Sequence, residues 1–295
     1  MLLEYFRSFY KKNYPNDMEQ CIDSFAVFGG FEDALDLDEP LETLIEKHIL
    51  NRYDELQRRI SLELQDSMDC MHLLTAIAIG DRRIASAFKR AHLSPANGNK
   101  ALDYLRQYHI IELEKSREKA PQKLYPKQHL KREVARHRIS HKLRFKLPFL
   151  RFWFYFIAPQ DKAIQEGNYE SVLSEYRQHR QAFSGYIFEE LSNLLLMQTY
   201  PSKIINSGSY WDRTVEIDLL ALSDSEDIIV GECKWRNHKI NKKEFNKLRK
   251  KCKKLGLTPD LIVLFSKRGF SNELLYSAND KLKLYSAEDF KILLS

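Results

Sequence analysis

The sequence predicts an α+β / α/β protein whose helical first part leads into a mixed sheet flanked by helices. Three observations predict it. Residues 1–65 repeat apolar side chains at the spacing of helices with one buried face. Residues 66–127 hold three short helical stretches followed by short, basic, strand-like segments. From residue 161 to 295, strand-like and helix-like stretches alternate, the pattern of a sheet covered by helices.

Within the first part, Leu41, Leu44, Ile45, Ile49, Leu56, Ile60 and Leu64 form the clearest apolar stripe, and the Gly29-Gly30 pair marks a turn before it. Next, "MHLLTAIAIG" reads as a helix stopped by Gly80, and "DRRIASAFKRAH" as a second helix that Asp81 is placed to cap. A third begins at Ser94-Pro95, with Ala101, Leu102, Leu105 and Tyr108 at helical spacing. "HIIELEKSREKAPQKLYPK" then reads as two short strands around a basic loop. Three small helices and a basic hairpin describe a winged helix, a fold that commonly places its third helix in the DNA major groove. Residues 128–160 read as a basic and aromatic connector. Beyond them come a helix over "QHRQAFSGYIFEELSNLLLMQTY" and strands near 203–207, 213–222 and 227–235. A basic helix near 241–256 and the strand "DLIVLF" follow. Then come a helix from Ser271, the strand "KLKLYS" and a last helix capped by Ser286.

Composition narrows the setting. The 295 residues are 43% hydrophobic and 30% charged, with a formal net charge of +6 that is clustered: residues 1–66 lean acidic, while 115–146 and 234–254 are dense in Lys and Arg. Cys21, Cys70, Cys233 and Cys252 form no CxxC pair, which suits a reducing cytoplasm. The N-terminus lacks the pattern of a signal peptide. The apolar run "LPFLRFWFYFIAP" is interrupted by Arg151 and is shorter than the roughly 20 residues of a membrane span, so no membrane association is expected. The nine histidines show no HxH or HExxH spacing.

The chemistry is expected where charge enters strands. Side chains two apart on a strand share a face, so Glu232 and Lys234 should project together, as should Glu216 and Asp218. The short turn "SDSED" allows the two strands to pair and bring Asp218 near Glu232. Two close carboxylates need positive charge between them, and a hard dication held by carboxylates and a phosphate supplies it. Lys234 beside the metal would assist attack on a phosphodiester. In "GYIFEELSNLLL", Glu189 or Glu190 stands near an apolar helical stripe and could complete the coordination.

"GYIFEE", "VEIDLLAL" and "VGECKW", in this order, resemble the core of the PD-(D/E)XK nuclease superfamily, the restriction-endonuclease-like fold. More narrowly, the chain resembles the C-terminal part of archaeal-type ATPases. There a winged helix is followed by an aromatic segment like Phe149 to Phe154, then elements like Gly185 with Phe188 and Glu189, Glu216 to Asp218, and Gly231 to Trp235. "FAVFGGFEDAL" is similar to the piece after that family's nucleotide-binding core, so the resemblance runs from about residue 20 to the end. It implies Glu189, Asp218, Glu232 and Lys234 as catalytic residues, the three acids as metal ligands, and Mg²⁺ or Mn²⁺ as cofactor. Leu147 stands where the family has an Asp. No G-x-x-x-x-G-K-[ST] occurs, so neither ATP binding nor ATPase activity is expected.

The basic helix carries Lys242, Lys243, Lys247, Lys250, Lys251, Lys253 and Lys254, and the expected wing carries Lys115, Arg117, Lys119 and Lys123, all candidates for nucleic-acid backbone contact. Lys131, Arg132, Arg136 and Arg138 extend the argument. Together these features lead to the expectation of a metal-dependent DNA nuclease, endo- or exonucleolytic, acting on duplex or branched DNA with help from the winged helix. The alternative is a non-catalytic DNA-binding or adaptor protein on the same fold, partnering a separate ATPase. The acidic N-terminal helices are the candidate surface for a protein partner.

Overall fold

A computed structural model describes residues 1–118, 125, 128–129 and 139–295. Helices α1 (Leu2–Asn13), α2 (Met18–Phe28), α3 (Leu41–His48) and α4 (Tyr53–Glu63) open the chain, and the predicted stripe is buried from Leu44 to Leu64. A 3₁₀ turn at Leu50–Arg52 separates α3 from α4.

Helices α5 (Met68–Ile79), α6 (Ile84–Arg90) and α7 (Pro95–Gln107) form the three-helix unit. Ser67 and Ser94 cap α5 and α7 by accepting the Cys70 and Asn97 amides, and Pro95 sits in the first turn, where its missing N–H costs nothing. Asp81 is not the helix cap expected of it. Its carboxylate accepts the Arg83 amide and the Ser86 hydroxyl, while Arg83 occupies the cap position. The hairpin also differs from the expected one. Strand β1 (Ile111–Glu114) pairs antiparallel with β2 (Lys142–Phe145), from Ile111 opposite Phe145 to Glu114 opposite Lys142. The second strand therefore falls inside the expected 128–160 connector. A boundary at residue 127 would cut the pair, because the basic insertion between the strands is far longer than a hairpin turn.

Helix α8 (Pro148–Phe152) continues through Trp153–Ile157, followed by α9 (Asp161–Gln165) and the long α10 (Tyr169–Thr199). The aromatic run is core: Phe152, Phe156 and Phe183 pack at 5.1 to 5.9 Å between ring centroids, and Tyr176 meets the first two edge-on.

Five strands form the sheet, in the order β3 (Ile204–Trp211), β4 (Glu216–Ser223), β5 (Ile228–Lys234), β6 (Leu261–Ser266), β7 (Leu282–Ser286). The first two pairings are antiparallel and the last two parallel, so the sheet is mixed. One face is covered by α10, the other by the basic helix α11 (Lys242–Leu255), whose Leu248 and Cys252 are buried. After the short α12 (Asn272–Tyr276) and β7, Ser286 and Asp289 form a reciprocal cap on a final 3₁₀ helix, Ala287–Leu294.

The N-terminal helices close over the α10 side. Phe6 and Phe25 pack edge-on, and the Arg7 side chain donates to the Leu293 carbonyl. Asp23 accepts the Trp235 indole N–H at 2.8 Å, and Lys267 pairs with Glu19 at 3.0 Å. Phe6, Phe9, Phe25 and Phe28 thus share one buried apolar cluster with Phe188 and Leu191 of α10. No described helix is long and apolar enough to cross a membrane.

Candidate functional site

The geometry of the acids starts from an irregularity in β4. Pairing with β3 steps from Leu220 opposite Gly208 to Ile217 opposite Tyr210, three residues against two. That extra residue is a β-bulge, and Gly208, at φ +144°, lies beside it in a region open mainly to glycine. The bulge breaks the side-chain alternation: Ile217 joins the apolar cluster under α11, whereas Leu219 and Ala221 join the one under α10. The expectation that Glu216 and Asp218 share a face is corrected accordingly. Glu216 is exposed and pairs with the buried Lys142 at 2.6 Å, while Asp218 turns toward β5.

Register with β5 ends at Leu219 opposite Gly231, where a Cβ on Gly231 would sit 3.1 Å from the Leu219 Cβ. Past that point the Asp218 carboxylate replaces the missing ladder acceptor: the Cys233 amide donates to its Oδ2 at 2.8 Å. The side chain is 15% exposed. Burial and then the charge of Glu232 push Asp218 up from the usual carboxylate range, against the opposing pull of Lys234 and the Cys233 amide.

Glu232 and Lys234 project together, as their spacing predicts. Lys234 Nζ lies 2.6 Å from Glu232 Oε1, 3.6 Å from Asp218 Oδ2 and 3.0 Å from the Cys233 carbonyl. Burial would lower this ammonium, but Asp218 and Glu232 outweigh it and raise Lys234 instead. The second oxygen of Glu232, whose side chain is 9% exposed, accepts from Lys251 on α11 at 2.8 Å.

Helix α10 decides between its two glutamates. Glu190 accepts from the Tyr186 hydroxyl at 2.9 Å and from Arg144 at 3.0 Å, so it belongs to a polar seam with the three-helix unit. Among the described residues none donates a hydrogen bond to Glu189. Burial, and then the nearby Asp218 charge, push its carboxyl up to about 8. Glu189 and Asp218 line one cavity of about 40 Å³, little more than a water's share of volume, with Arg82 and Tyr186 on its wall. Asp218 of β4 thus has an acid on either side, Glu189 of α10 across the small cavity and Glu232 of β5 beyond Lys234. Lys234 lies between Asp218 and Glu232, and among the described residues no group of three or more His, Cys, Asp or Glu stands ready as a metal cage.

The donor set suits a hard dication. Glu189 and one oxygen of Asp218 are without hydrogen-bond donors among the described residues, whereas Glu232 would have to exchange an ammonium for the metal.

Among the cations expected to meet nucleic acid, Lys115 is exposed, but Arg117 is turned inward. Its guanidinium donates to the carbonyls of Leu220, at 2.8 Å, and of Gly208 and Ser209, which the bulge leaves available, so its geometry serves the fold. On α11, Lys242 pairs with Glu273 and Lys247 with Glu244, whereas Lys243 and Lys250 are exposed without acid partners among the described residues. Lys119, Lys123, Lys131, Arg132, Arg136 and Arg138 lie outside the described residues. Trp211 and Trp235 are buried.

Lys251 and Arg82 were not singled out by the sequence. Lys251 was one lysine among many on its helix. Arg82 had a signal only in the Gly80–Asp81 stop before it; it adopts φ +64° and stacks 4.5 Å from the Tyr186 ring, while Arg151 lies 4.3 Å from that ring.

The profile of a family described as DUF234, archaea bacterial proteins of unknown function, matches residues 153–248, a stretch containing Glu189, Asp218, Glu232 and Lys234. The chain is similar to an uncharacterized protein of Methanocaldococcus jannaschii, 34% identical over 119 residues that cover 37% of this chain and 26% of the relative. It thus aligns with about a quarter of that relative's length. No solved structure matches the chain.

Proposed function

We propose that the protein is a metal-dependent nuclease that hydrolyses phosphodiester bonds of DNA, with Glu189, Asp218 and Glu232 holding Mg²⁺ or Mn²⁺. The observation that supports it best is Glu189, a desolvated carboxyl beside Asp218 with no internal hydrogen-bond donor among the described residues. A buried acid without a partner costs stability unless a ligand compensates it, and a cation is the ligand two such acids would share. The metal, when bound, would supply a Lewis acid and a water of lowered pKa. Lys234 would move its ammonium from Glu232 toward the reacting phosphate, stabilising charge that develops there. Lys243 and Lys250, exposed and without acid partners among the described residues, support backbone contact, with the three-helix unit as a second DNA-facing element.

The test is conversion of supercoiled plasmid and of branched DNA in Mg²⁺ or Mn²⁺. Nicking should fall by about a hundredfold or more in Lys234→Ala and Asp218→Ala. Cleavage that survives both substitutions, or persists in EDTA, would remove this site from consideration.

One observation favours a second reading, a DNA-binding or adaptor protein without catalysis. Lys234 sits between Asp218 and Glu232, so it can serve as their permanent counter-ion. Salt-sensitive DNA binding with no nicking in either metal would establish that reading.

A further inference from the structure

On the α11 face of the sheet, away from the small cavity at Glu189, a groove of about 700 Å³ opens between the C-terminal half of α11 and the starts of β6 and β7. Its floor is apolar and buried, made by Cys252, Ile262 and Leu282, and Phe245 and Leu257 form its flanks. Its rim is cationic. Arg249 and Lys253 rise from α11 and Lys281 from the opposite wall, and among the described residues no carboxylate lines the groove. All three are exposed, and none has an acid partner among the described residues. The Arg249 guanidinium lies 5.7 Å from the Phe245 ring centroid. Next in the chain to Ser277 of the rim, Tyr276 is 89% exposed and Leu275 50%.

Such a groove fits a ligand with a flat apolar face and a negatively charged edge. A polyphosphate alone would leave the apolar floor unused, and a fatty chain would leave the rings without a flat partner. An unpaired nucleotide satisfies both: its base stacks on Phe245 and Tyr276 while its phosphates meet Arg249, Lys253 and Lys281. A paired base cannot enter, because its faces are covered by neighbours. The cavity at Glu189 and Asp218, about 40 Å³, holds no base either. Bases next to the acid cluster must therefore lie elsewhere. α11 joins the two places, with Lys251 on Glu232 and Arg249 and Lys253 on the groove.

We infer that this groove binds one or two unpaired nucleotides, so that the substrate class is nucleic acid carrying a single-stranded segment, such as an overhang, flap or fork. The inference rests on the nucleic-acid reading above and deepens it by naming the form of the substrate.

Fluorescence anisotropy tests it on the full chain, with one labelled sequence as a single strand, a blunt duplex and a duplex with a single-stranded overhang. The overhang substrate should bind about tenfold tighter than the blunt duplex. Phe245→Ala should remove most of that difference and leave blunt-duplex affinity nearly unchanged. Phe245→Leu, which keeps apolar volume and guards against misfolding, should do the same. Lys281→Gln should weaken overhang binding and flatten its salt dependence. 2-Aminopurine in the overhang should be quenched by the wild type and not by Phe245→Leu. Equal affinity for all three forms, or Phe245 variants that bind as wild type, would overturn the groove assignment and leave the acid-cluster reading standing. Failure of the wild type to bind any form would overturn both. Binding of a fluorescent fatty acid that Phe245→Ala abolishes and single-stranded DNA does not displace would reassign the groove to a lipid-like anion.

Discussion

Glu189 and Glu190 are neighbours on one helix, both beneath the three-helix unit, yet they live in opposite electrostatic conditions. Glu190 sits in a seam of Tyr186, Arg144, Arg82 and Glu114, where Tyr186 and Arg144 each donate to it and Arg82 reaches both the Tyr186 hydroxyl, at 3.0 Å, and Glu114, at 3.3 Å. Its carboxyl is raised by burial and pulled back by Arg144 and Arg82. Glu189 receives no hydrogen bond among the described residues and faces Asp218. Equal burial therefore does not mean equal role. A carboxylate whose donors come from its own fold joins two modules, whereas one that is buried beside another acid, with Arg82 and Lys234 nearby but not hydrogen-bonded to it, is the candidate ligand for a cation.

The comparison is broken most directly by substituting each member. Glu190→Ala strips an acceptor from Tyr186 and Arg144, and should lower the unfolding free energy by about 3 kcal/mol in urea melts. Glu190→Ala at wild-type stability would mean the seam is not what holds the modules together.

Glu189→Gln should act in the other direction, with a pH signature. The carboxyl titrates near 8 in the folded protein against an ordinary 4.5, so the folded state keeps its proton longer than the unfolded chain. Stability therefore falls as pH rises from 4.5 toward 8, and the full loss is present above that window. Asp218, also raised, adds to the slope. Allowing for solvent at the site, Glu189→Gln should be more stable than wild type by about 1–2 kcal/mol at pH 8.5 and equal to it near pH 4. A pH-independent difference would show that Glu189 is already compensated.

The smallest effect is expected at Lys251, whose side chain is 30% exposed. Lys251→Gln should cost under about 1 kcal/mol in the same melts, since Glu232 retains Lys234. A larger loss would move Lys251 from accessory to principal counter-ion.

These residues differ in how far the sequence announced them. Asp218, Glu232 and Lys234 are conspicuous because charge interrupts otherwise apolar strands, and the mixed sheet follows from the alternation of strands and helices, whereas the order of its strands does not. The bulge that reorients Asp218 was hidden, since its cause is the register with β3 rather than any residue in β4. The partner of β1 was hidden for a similar reason: strand pairing depends on tertiary contact, and the basic insertion between β1 and β2 resembled a hairpin loop. Arg117 read as a surface cation because no local pattern distinguishes an arginine that binds backbone carbonyls from one that binds phosphate. Arg151 was visible as a charge within an aromatic run, and it lies buried at the Phe183 carbonyl and the Tyr186 ring.

Calorimetric titration of Mn²⁺ into the protein at pH 8 tests the central proposal, that Glu189 and Asp218 bind a dication. A saturable single-site heat is expected in the wild type and in Glu190→Gln, and its loss in Glu189→Gln and Asp218→Asn. A heat that is absent from the wild type, or unchanged when both Glu189 and Asp218 are neutralised, would contradict it.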